Sequence, residues 1–390
     1  MNPVQKMTRP EKQGVLTAIL CTGLIAMAWG LQAPLIAQWL ERMTGSGALL
    51  GTLIALAAVA TITLPPFVPK LMSWYDPKKV LLASLLLGAL TIPALKIFMF
   101  PAAWLAIKFI SSALFTIVFV IAEVWINQLA PEHLRGRILG AYGAALAGGM
   151  GLGSGLAVWT GIDGWMPFVV CTLIYLIAAL PFLVFPRTAP IRGNHKENTR
   201  FSLLLSIMKA APAIMMCAIV FGAIEQIYIY FLPVYDTRLG HTEAMGRTLL
   251  LIAALGNFLF QYPMGVLADR MNRRRLTQLL MGTAFVGPLL MMASGTHFLI
   301  LAMLAFVYMG LTTALYTVGL VQLGEQFKGE KLAAANAAFI VAYGIGSLLT
   351  PPVAGKMMDI VNPQGFLWTM AGLGALGLLV LGLSETRFRR

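Results

Sequence analysis

Residues 265–275 read Gly-Val-Leu-Ala-Asp-Arg-Met-Asn-Arg-Arg-Arg, and this short basic segment separates two long apolar runs. A weaker copy, Asp-Pro-Lys-Lys, occupies residues 76–79. Asp76 in this copy and Asp269 in the longer segment lie 193 residues apart, close to half of the 390-residue chain. The spacing of the two segments predicts an internal repeat of about half a chain.

The apolar runs around these segments decide the fold class. Hydrophobic residues make up 59% of the chain, charged residues only 11%, and the mean hydropathy is +0.82, whereas a soluble domain carries about 25% charged residues. In hydrocarbon every backbone N–H and C=O group needs an internal partner, so only helices and closed barrels cross a bilayer. Because the runs are long and lack the alternation of barrel strands, we predict an all-α membrane protein.

The runs predict twelve transmembrane helices in two pseudo-symmetric six-helix bundles. The predicted spans are residues 14–38, 48–68, 80–99, 102–129, 138–160, 165–185, 209–233, 246–266, 276–295, 298–324, 332–355 and 365–384. All but six of the 28 Lys and Arg residues fall on the side of the membrane that holds both tails. The six exceptions are Arg42, Lys96, Lys108, Arg238, Arg247 and Lys356. Because Lys and Arg accumulate on the cytoplasmic side, we predict that both termini are cytoplasmic.

The net charge of +13 follows from this topology, so no nucleic-acid partner is expected. The chain divides at its middle. Residues 1–185 hold the first six spans, residues 186–208 form a cytoplasmic linker, and residues 209–390 hold the last six. The linker ends in an apolar stretch that begins at residue 201, and this pattern predicts a helix along the membrane surface. We expect a monomer in the lipid bilayer.

Two further matches occur at the same 193-residue offset without a gap. Arg135-Gly136 corresponds to Lys328-Gly329, and Gly-Leu-Gly-Ser at 151–154 corresponds to Gly-Ile-Gly-Ser at 344–347. An internal repeat in an apolar chain indicates a secondary transporter built from two similar halves. Small residues let helices approach closely, and prolines interrupt backbone hydrogen bonds. The predicted positions of helix packing and bending are Gly151, Gly153, Gly344, Gly346, Pro351 and Pro352.

The segment 265–275 resembles the loop signature of the major facilitator superfamily, Gly-x-Leu-Ala-Asp-Arg-x-Gly-Arg-Arg. Asn272 stands at the second glycine, where we expect the positive φ that glycine and asparagine tolerate. The resemblance implies the twelve-helix, two-bundle fold and a cytoplasmic gating role for the loop. The residues it implicates are Gly265, Asp269, Arg270, Arg273 and Arg274, with Asp76 in the weaker copy. The alternative is an ordinary basic loop that only fixes the topology.

Trp-Leu-Ala-Ile-Lys-Phe at residues 104–109, early in the fourth span, resembles a second superfamily motif, Arg-Phe-x-x-Gly-x-Gly. The resemblance implies that Lys108 faces the central cavity and takes part in proton coupling. The alternative is that the Lys108 side chain snorkels to the outer interface, about two turns away.

Glu123 belongs to Ala-Glu-Val-Trp-Ile-Asn-Gln at residues 122–128. Together with Arg-Gly-Arg at residues 135–137, this segment resembles a poorly characterised bacterial branch of the superfamily, which implies a location in a bacterial inner membrane. Two roles are open for Glu123. It either titrates during transport, or it is a static latch partner for a loop arginine such as Arg273.

Glu225 lies in the outer half of the predicted seventh span, with no basic residue within a helical turn. A carboxyl group at this depth is typical of a proton-coupling site. The alternative is a neutral glutamic acid that is hydrogen-bonded between helices. Spans one, four, seven and ten line the cavity in the superfamily. Further candidates for the substrate cavity are Gln32, Asn257, Gln261 and Tyr316.

These observations predict a secondary transporter that moves a small organic solute by alternating access. The scarcity of charged residues at membrane depth favours proton-coupled efflux of an amphipathic or weakly cationic compound. Proton-coupled uptake of a small metabolite is one alternative, and a transporter-like membrane sensor is another. No Ser/His/Asp, Cys/His or His/Glu cluster stands at membrane depth in the sequence, so we expect neither an enzyme nor a metal or cofactor.

Overall fold

The computed structural model describes residues 7–131, 134–184, 201–327 and 330–388. Within these residues the secondary structure is helical, with one short 3-10 turn at Pro65–Phe67. The α-helices are α1 Arg9–Thr44, α2 Gly47–Thr63, α3 Val68–Trp74, α4 Pro77–Ile97, α5 Pro101–Leu129, α6 Arg135–Thr160, α7 Met166–Val184, α8 Phe201–Ala210, α9 Pro212–Arg238, α10 Glu243–Arg270, α11 Arg273–Ala293, α12 Phe298–Gln326, α13 Glu330–Ile360 and α14 Gly365–Phe388.

Twelve helical segments in the described part of the chain are long and apolar enough to cross a membrane. α2 and α3 together form one of them, Gly47–Trp74, and the short helix α8 begins at the residue where the sequence predicts a surface helix. α1 extends to Thr44, six residues beyond the predicted end of the first span. The predicted all-α class and the number of spans are confirmed.

Large apolar side chains cover the outward faces of these helices. Leu90, Leu152 and Leu299 are 65%, 66% and 72% exposed, respectively. Exposed apolar surface on this scale is unusual for a protein in water, and it fits contact with lipid tails. α9 is buried instead, since it packs against α10, α12, α13 and α14.

Contacts between residues divide the chain into two compact units. The first unit consists of Met1–Leu35 and Val59–Lys196, and the second consists of Ile36–Ala58 and Glu197–Arg390. The end of α1 and the first part of α2 therefore belong to the second unit, although most of the first unit follows them in the sequence.

Close backbone packing explains why residues 36–58 belong to the second unit. A side-chain carbon at Gly51 of α2 would overlap the carbonyl oxygen of Pro351 on α13, and one at Gly355 would overlap that of Gly47. The sequence-based halves, 1–185 and 209–390, stay a prediction, and residues 185–200 of the linker region lie outside the described part of the chain.

Candidate functional site

Lys108 and Gln32 form a buried polar pair in the first unit. Lys108, on α5, is 5% exposed, and Gln32, on α1, is 3% exposed. The Nζ atom of Lys108 donates to Oε1 of Gln32 over 3.2 Å. The structure thus places the Lys108 side chain inside its unit rather than at the surface that snorkelling would require.

The pair leaves one donor group unsatisfied. An ammonium group has no acceptor, so Oε1 of Gln32 must face Lys108 and Nε2 must point away from it. Nε2 is buried and has no hydrogen-bond partner among the described residues. A buried donor without an acceptor costs about 1–3 kcal/mol, which makes this amide a candidate contact for a ligand.

A row of four aromatic side chains lies on α1, α5 and α6 of the same unit, and we call it the aromatic row. The ring of Trp29 lies 5.8 Å from that of Phe115, which lies 5.9 Å from that of Phe119. Phe119 in turn lies 6.0 Å from Tyr142. The Tyr142 hydroxyl donates to Oε1 of Glu123 over 3.4 Å. Glu123 therefore stands at the end of the row, and its two predicted roles stay predictions.

Glu225 occupies the midpoint of α9, not its outer half as the sequence predicts. The hydroxyl of Tyr343 on α13 donates to Oε2 of Glu225. The two helices are in close contact at this level, because a side-chain carbon at Gly222 would overlap the carbonyl oxygen of Tyr343. The Ser347 hydroxyl also donates to the carbonyl oxygen of Gly222 over 3.1 Å. Tyr343 is not among the residues predicted from the sequence, and it lies 118 residues from its partner.

Tyr316 belongs to an aromatic cluster around Tyr343. Its ring centroid lies 5.3 Å from that of Phe339, 5.5 Å from that of Phe221 and 6.2 Å from that of Tyr343. The cluster packs against the residues that hold Glu225, so the structure brings Tyr316 and Glu225 into the same region of the second unit.

Asn257 and Gln261 lie on α10, where Nε2 of Gln261 donates to Oδ1 of Asn257 over 3.3 Å. Gln261 is exposed, and its neighbour Tyr262 is 82% exposed. The predicted cavity role of this pair stays a prediction.

The basic segment 265–275 contains the junction between α10 and α11. Asn272 has φ −60° and ψ 114°, and its side chain accepts hydrogen bonds from the backbone N–H groups of Arg274 and Arg275 over 3.1 Å and 3.2 Å. The expected positive φ at Asn272 is therefore wrong. Asparagine is present because its side chain caps the first turn of α11, which a glycine cannot do.

The caps also correct the alignment of the two halves. Asp76 begins α4 with φ −62° and ψ 119°, and it accepts from the N–H groups of Lys78 and Lys79. This geometry matches that of Asn272, 196 residues later, rather than that of Asp269. The predicted 193-residue offset is wrong at this loop by three residues. Asp76 is the N-cap residue of α4, so its geometry does not support its predicted equivalence with Asp269. Its gating role stays a prediction.

Arg273 forms an ion pair with Glu325 near the end of α12, a partner that the sequence analysis did not name. Arg270 and Arg274 are exposed, and a side-chain carbon at Gly265 would meet no described atom within 4 Å. The side chain of Asp269 lies outside the described part of the structure. The cytoplasmic gating role of the segment stays a prediction.

The glycines of α6 pack against α1. A side-chain carbon at Gly149 would overlap the carbonyl oxygen of Gly23, and one at Gly153 would overlap that of Met27. At Gly151 the same carbon would meet no described atom within 4 Å. Close approach therefore requires glycine at positions 149 and 153 and places no such demand on position 151.

α13 approaches α9 in a similar way. A side-chain carbon at Gly346 would overlap the carbonyl oxygen of Ile219, and Gly344, two residues earlier, is also buried. Pro351 and Pro352 both lie inside α13, which continues to Ile360. The helix thus tolerates the two prolines, and the backbones of both lie against Gly51 of α2.

An ionic cluster that the sequence analysis did not identify joins α1, α9 and α13 in the second unit. Nε and Nη2 of Arg238 donate to the two carboxylate oxygens of Glu41 over 2.7 Å and 2.9 Å. Arg238 also lies 3.1 Å from Oδ1 of Asp359. Asp359 accepts in addition from the N–H groups of Gly47 and Ala48, at the start of α2.

A second set of contacts extends this cluster to α10. Nε and Nη2 of Arg42 donate to the carboxylate of Glu243 over 2.5 Å and 2.6 Å, and Nη1 of Arg247 donates to Oε1 of Gln38 over 2.9 Å. Arg42, Arg238 and Arg247 are all exceptions to the cytoplasmic bias of positive charge. This departure from the bias is the sequence signal that could have predicted the cluster. We call the set the Arg238 cluster: Gln38, Glu41, Arg42, Arg238, Glu243, Arg247 and Asp359.

His241 lies in the turn between α9 and α10. Its Nδ1 is 2.7 Å from Oδ1 of the buried Asp236, and its Nε2 is 2.9 Å from the carbonyl oxygen of Thr296. The hydrogen bond to the Asp236 carboxylate raises the pKa of His241 above its ordinary value. Both ring nitrogens face oxygen acceptors, and an imidazolium satisfies both because each of its nitrogens carries a proton.

The described helices and sites define a class of protein. The described part of the chain has twelve candidate spans in two similar halves, with buried polar pairs within the spans. This is the architecture of a secondary transporter. No group of three His, Cys, Asp or Glu side chains in the described part of the chain could hold a metal ion. The family model of the Major Facilitator Superfamily matches residues 18–256 and 241–389.

The chain belongs to the Major Facilitator Superfamily. It is a multi-pass membrane protein of a transporter family with small-molecule substrates, and members of this family are not enzymes. It is similar to the uncharacterized MFS-type transporter YcaD of Salmonella dublin, with 25% identity over 281 residues that cover 72% of each chain. YcaD of Shigella flexneri is 24% identical over the same shares.

Among solved structures, the chain is similar to the nucleoside transporter NupG, with a TM-score of 0.76 and 15% identity over 98% of this chain and 100% of that chain. It is also similar to the D-xylose-proton symporter, with a TM-score of 0.70 and 16% identity over 94% and 96% of the two chains. At these identities the likeness shows the fold alone. The resemblance that the Glu123 segment carries to one bacterial branch stays a prediction.

Proposed function

We propose that this protein is a proton-coupled transporter that exports a small amphipathic organic solute across a bacterial inner membrane by alternating access. The observation that carries the proposal is the hydrogen bond between Tyr343 and Glu225 at the midpoint of α9. Ionisable residues inside a membrane are costly, and they commonly mark proton relays. Glu225 is the group that we assign to the proton.

Glu225 can change its protonation state without losing Tyr343. Both a carboxylate and a carboxylic acid accept a hydrogen bond, but only the acid can donate one to a second acceptor. Proton uptake therefore changes the contacts that α9 makes and keeps its bond to α13. Because α9 is buried among four helices of its unit, a change in its contacts acts on their packing.

The first unit supplies the surface that we assign to the solute. The aromatic row offers apolar ring faces on three half-buried side chains, and Lys108 with Gln32 offers polar groups near its start. Efflux is the direction that this mainly apolar lining supports.

The proposal also includes a cytoplasmic location of both termini and a monomeric state. The distribution of Lys and Arg supports the cytoplasmic location of the termini.

The test is solute flux in proteoliposomes under an imposed pH gradient. A panel of labelled aromatic acids, alcohols and amines serves as the solute set. Glu225→Gln is expected to abolish the dependence of flux on the pH gradient, because glutamine cannot titrate. Glu11→Gln removes a partly exposed carboxylate near the start of α1 and is the matched control. Gradient-dependent flux in Glu225→Gln equal to that of the control would refute the assignment.

The same vesicles separate export from uptake. Exchange of solute for protons moves the solute against the direction of the proton gradient, whereas symport moves it with the gradient. Movement with the gradient would establish the uptake alternative. A solute that binds the purified protein and crosses no sealed vesicle would indicate a sensor.

A further inference from the structure

We infer that Lys108 and Gln32 form a binding subsite for the carboxylate, or an equivalent anionic acceptor group, of the transported solute. The inference rests on the proposed transport function and names the chemical class of its substrate. It differs from the sequence-based expectation of a weakly cationic solute.

The pair has more hydrogen-bond donors than acceptors. Lys108 brings three N–H donors and a positive charge, and the Gln32 amide brings two further donors and one acceptor. That acceptor is used by Lys108, and Nε2 has no partner among the described residues. The amide cannot be rotated to correct this, because the opposite orientation would direct its N–H groups at the ammonium group. The group that completes the pair must therefore accept hydrogen bonds.

The pair is also deeply buried within its unit. Both side chains are at least 95% buried, so a hydrogen bond to them is weakened little by competition with water. A carboxylate oxygen that accepts from both donors forms charge-assisted bonds, which are shorter and about twice as strong as neutral ones. A cationic solute would instead place two positive charges together in a buried site, at a cost that the geometry does nothing to offset.

The aromatic row begins close to the pair. Trp29 precedes Gln32 by three residues on α1, so the two side chains lie on the same face about 4.5 Å apart along the axis. Phe115 follows Lys108 by two turns, about 10 Å along α5. The rings of Trp29 and Phe115 meet at 5.8 Å. A solute with a carboxylate at the polar pair therefore has its apolar ring within reach of this ring pair.

The experiment measures binding to the purified full-length protein by isothermal titration calorimetry at pH 7. The probes are benzoate, phenylacetate, 3-phenylpropionate and 4-phenylbutyrate, each beside its matched alcohol and amine. At least one acid is expected to bind about tenfold or more tightly than its alcohol, since a charge-assisted hydrogen bond is worth that ratio. If no acid binds more tightly than its alcohol, or if the amines bind more tightly, the inference is overturned.

Variants at the pair locate the subsite. Lys108→Met and Gln32→Glu are each expected to weaken acid binding about tenfold or more, and Lys108→Arg to keep most of it, because arginine retains the charge. Gln32→Glu preserves the acceptor for Lys108 and the side-chain shape, and it removes both amide donors. Thr22→Val, a buried change on α1 that removes a hydroxyl bonded to Ala18, is the matched control and should bind like the wild type.

Size-exclusion profiles and circular dichroism of each variant establish that it is folded. Acid binding that persists at full strength in folded Lys108→Met and Gln32→Glu would place the carboxylate elsewhere and overturn the inference. Flux in proteoliposomes separates this result from failure of the transport proposal. Tight acid binding that depends on Lys108, without any flux, would uphold the subsite and refute transport. Proton-dependent flux of amines alone would do the reverse.

Discussion

Replacement of Arg238 by methionine is expected to release residues 36–58 from the rest of the second unit. The Arg238 side chain is 9% exposed, binds both carboxylate oxygens of Glu41 and reaches Asp359. Methionine preserves much of the aliphatic stem and removes every donor. The carboxylates of Glu41 and Asp359 would then face each other without the cation between them. Their repulsion would oppose the contact between Asp359 and the start of α2.

The size of the effect follows from burial. Removal of one partner from a buried ion pair costs about 3–5 kcal/mol. Glu41 and Asp359 are 18% and 29% exposed, so solvent relieves part of the cost and about 2–3 kcal/mol remains. This corresponds to roughly a 30- to 150-fold larger population in which the segment is released. Arg42→Met is the matched comparison, because its pair with Glu243 is 35% and 22% exposed and such pairs contribute about 0.2–1 kcal/mol.

Maleimide labelling of a Leu50→Cys variant measures the release. Leu50 on α2 is 1% exposed, and the three native cysteines are buried, so labelling of the closed protein should be slow. The Arg238→Met background is expected to accelerate labelling about 30-fold or more, and the Arg42→Met background about fivefold or less. Arg238→Lys, which keeps the charge without the two-pronged contact, should fall between them. Equal rates in the methionine backgrounds would refute the assignment of the main contribution to Arg238.

Three further predictions concern single contacts. The folded protein holds a proton on His241 more tightly than the unfolded chain, so His241 contributes fully to the free energy of unfolding below about pH 6.5, and this contribution is lost as the pH rises through the raised pKa of His241. The melting temperature of the wild type should therefore fall over that pH range relative to that of His241→Gln. A difference in melting temperature that stays constant with pH would contradict this prediction. Arg273→Glu and Glu325→Arg should each reduce solute flux in proteoliposomes, and the double exchange should restore part of the flux. No recovery of flux in the double variant would mean that transport does not depend on this ion pair. Gly346→Leu should lower the yield of monodisperse protein in size-exclusion chromatography because of overlap with the α9 backbone, whereas Gly151→Ala should be tolerated; equal yields would show that α9 and α13 can move apart.

The spans could be predicted from the sequence because membrane burial is a local property. A helix must carry about 20 apolar residues to cross the bilayer, and this requirement does not depend on which helices become neighbours. The end of α1 was predicted less well, because it depends on partners from other helices. Glu41 and Arg42 are polar enough to suggest a loop, but their partners Arg238 and Glu243 keep them helical. Those partners lie about 200 residues away.

The register of the repeat was predicted less accurately than its existence. The contact of Gly149 with Gly23 on α1 is repeated by the contact of Gly346 with Ile219 on α9, at offsets of 197 and 196 residues. The sequence match at 193 residues instead aligns Gly153 with Gly346, and the contact of Gly153 with Met27 fits that register too, so the N-caps Asp76 and Asn272 are what favour 196. The error is close to one helical turn of 3.6 residues. Such a shift keeps residues on the same helical face, so a pattern of small residues matches almost equally well in the wrong register.

The polar partners could not be predicted, because each joins helices that are distant in the sequence. Tyr343 and Glu325 carry no local pattern that distinguishes them from other residues of their spans. The charges themselves gave a usable signal. Of the six basic residues outside the cytoplasmic positions, Lys108 lies in the buried pair and three arginines lie in the Arg238 cluster. A positive charge that breaks the topology rule therefore indicates a specific partner.

The corrected register also shows how the two halves differ in chemistry. At an offset of 196 residues, Trp29 on α1 corresponds to Glu225 on α9, and Gln32 corresponds to Tyr228. The same helical face thus carries a ring and an amide in the first unit, and a carboxyl group and a phenol in the second. Backbone contacts at glycine are retained by both halves, because both need close packing of their first and fifth spans. The side chains at the equivalent positions have diverged, and under the proposed function this divergence assigns the solute to one half and the proton to the other.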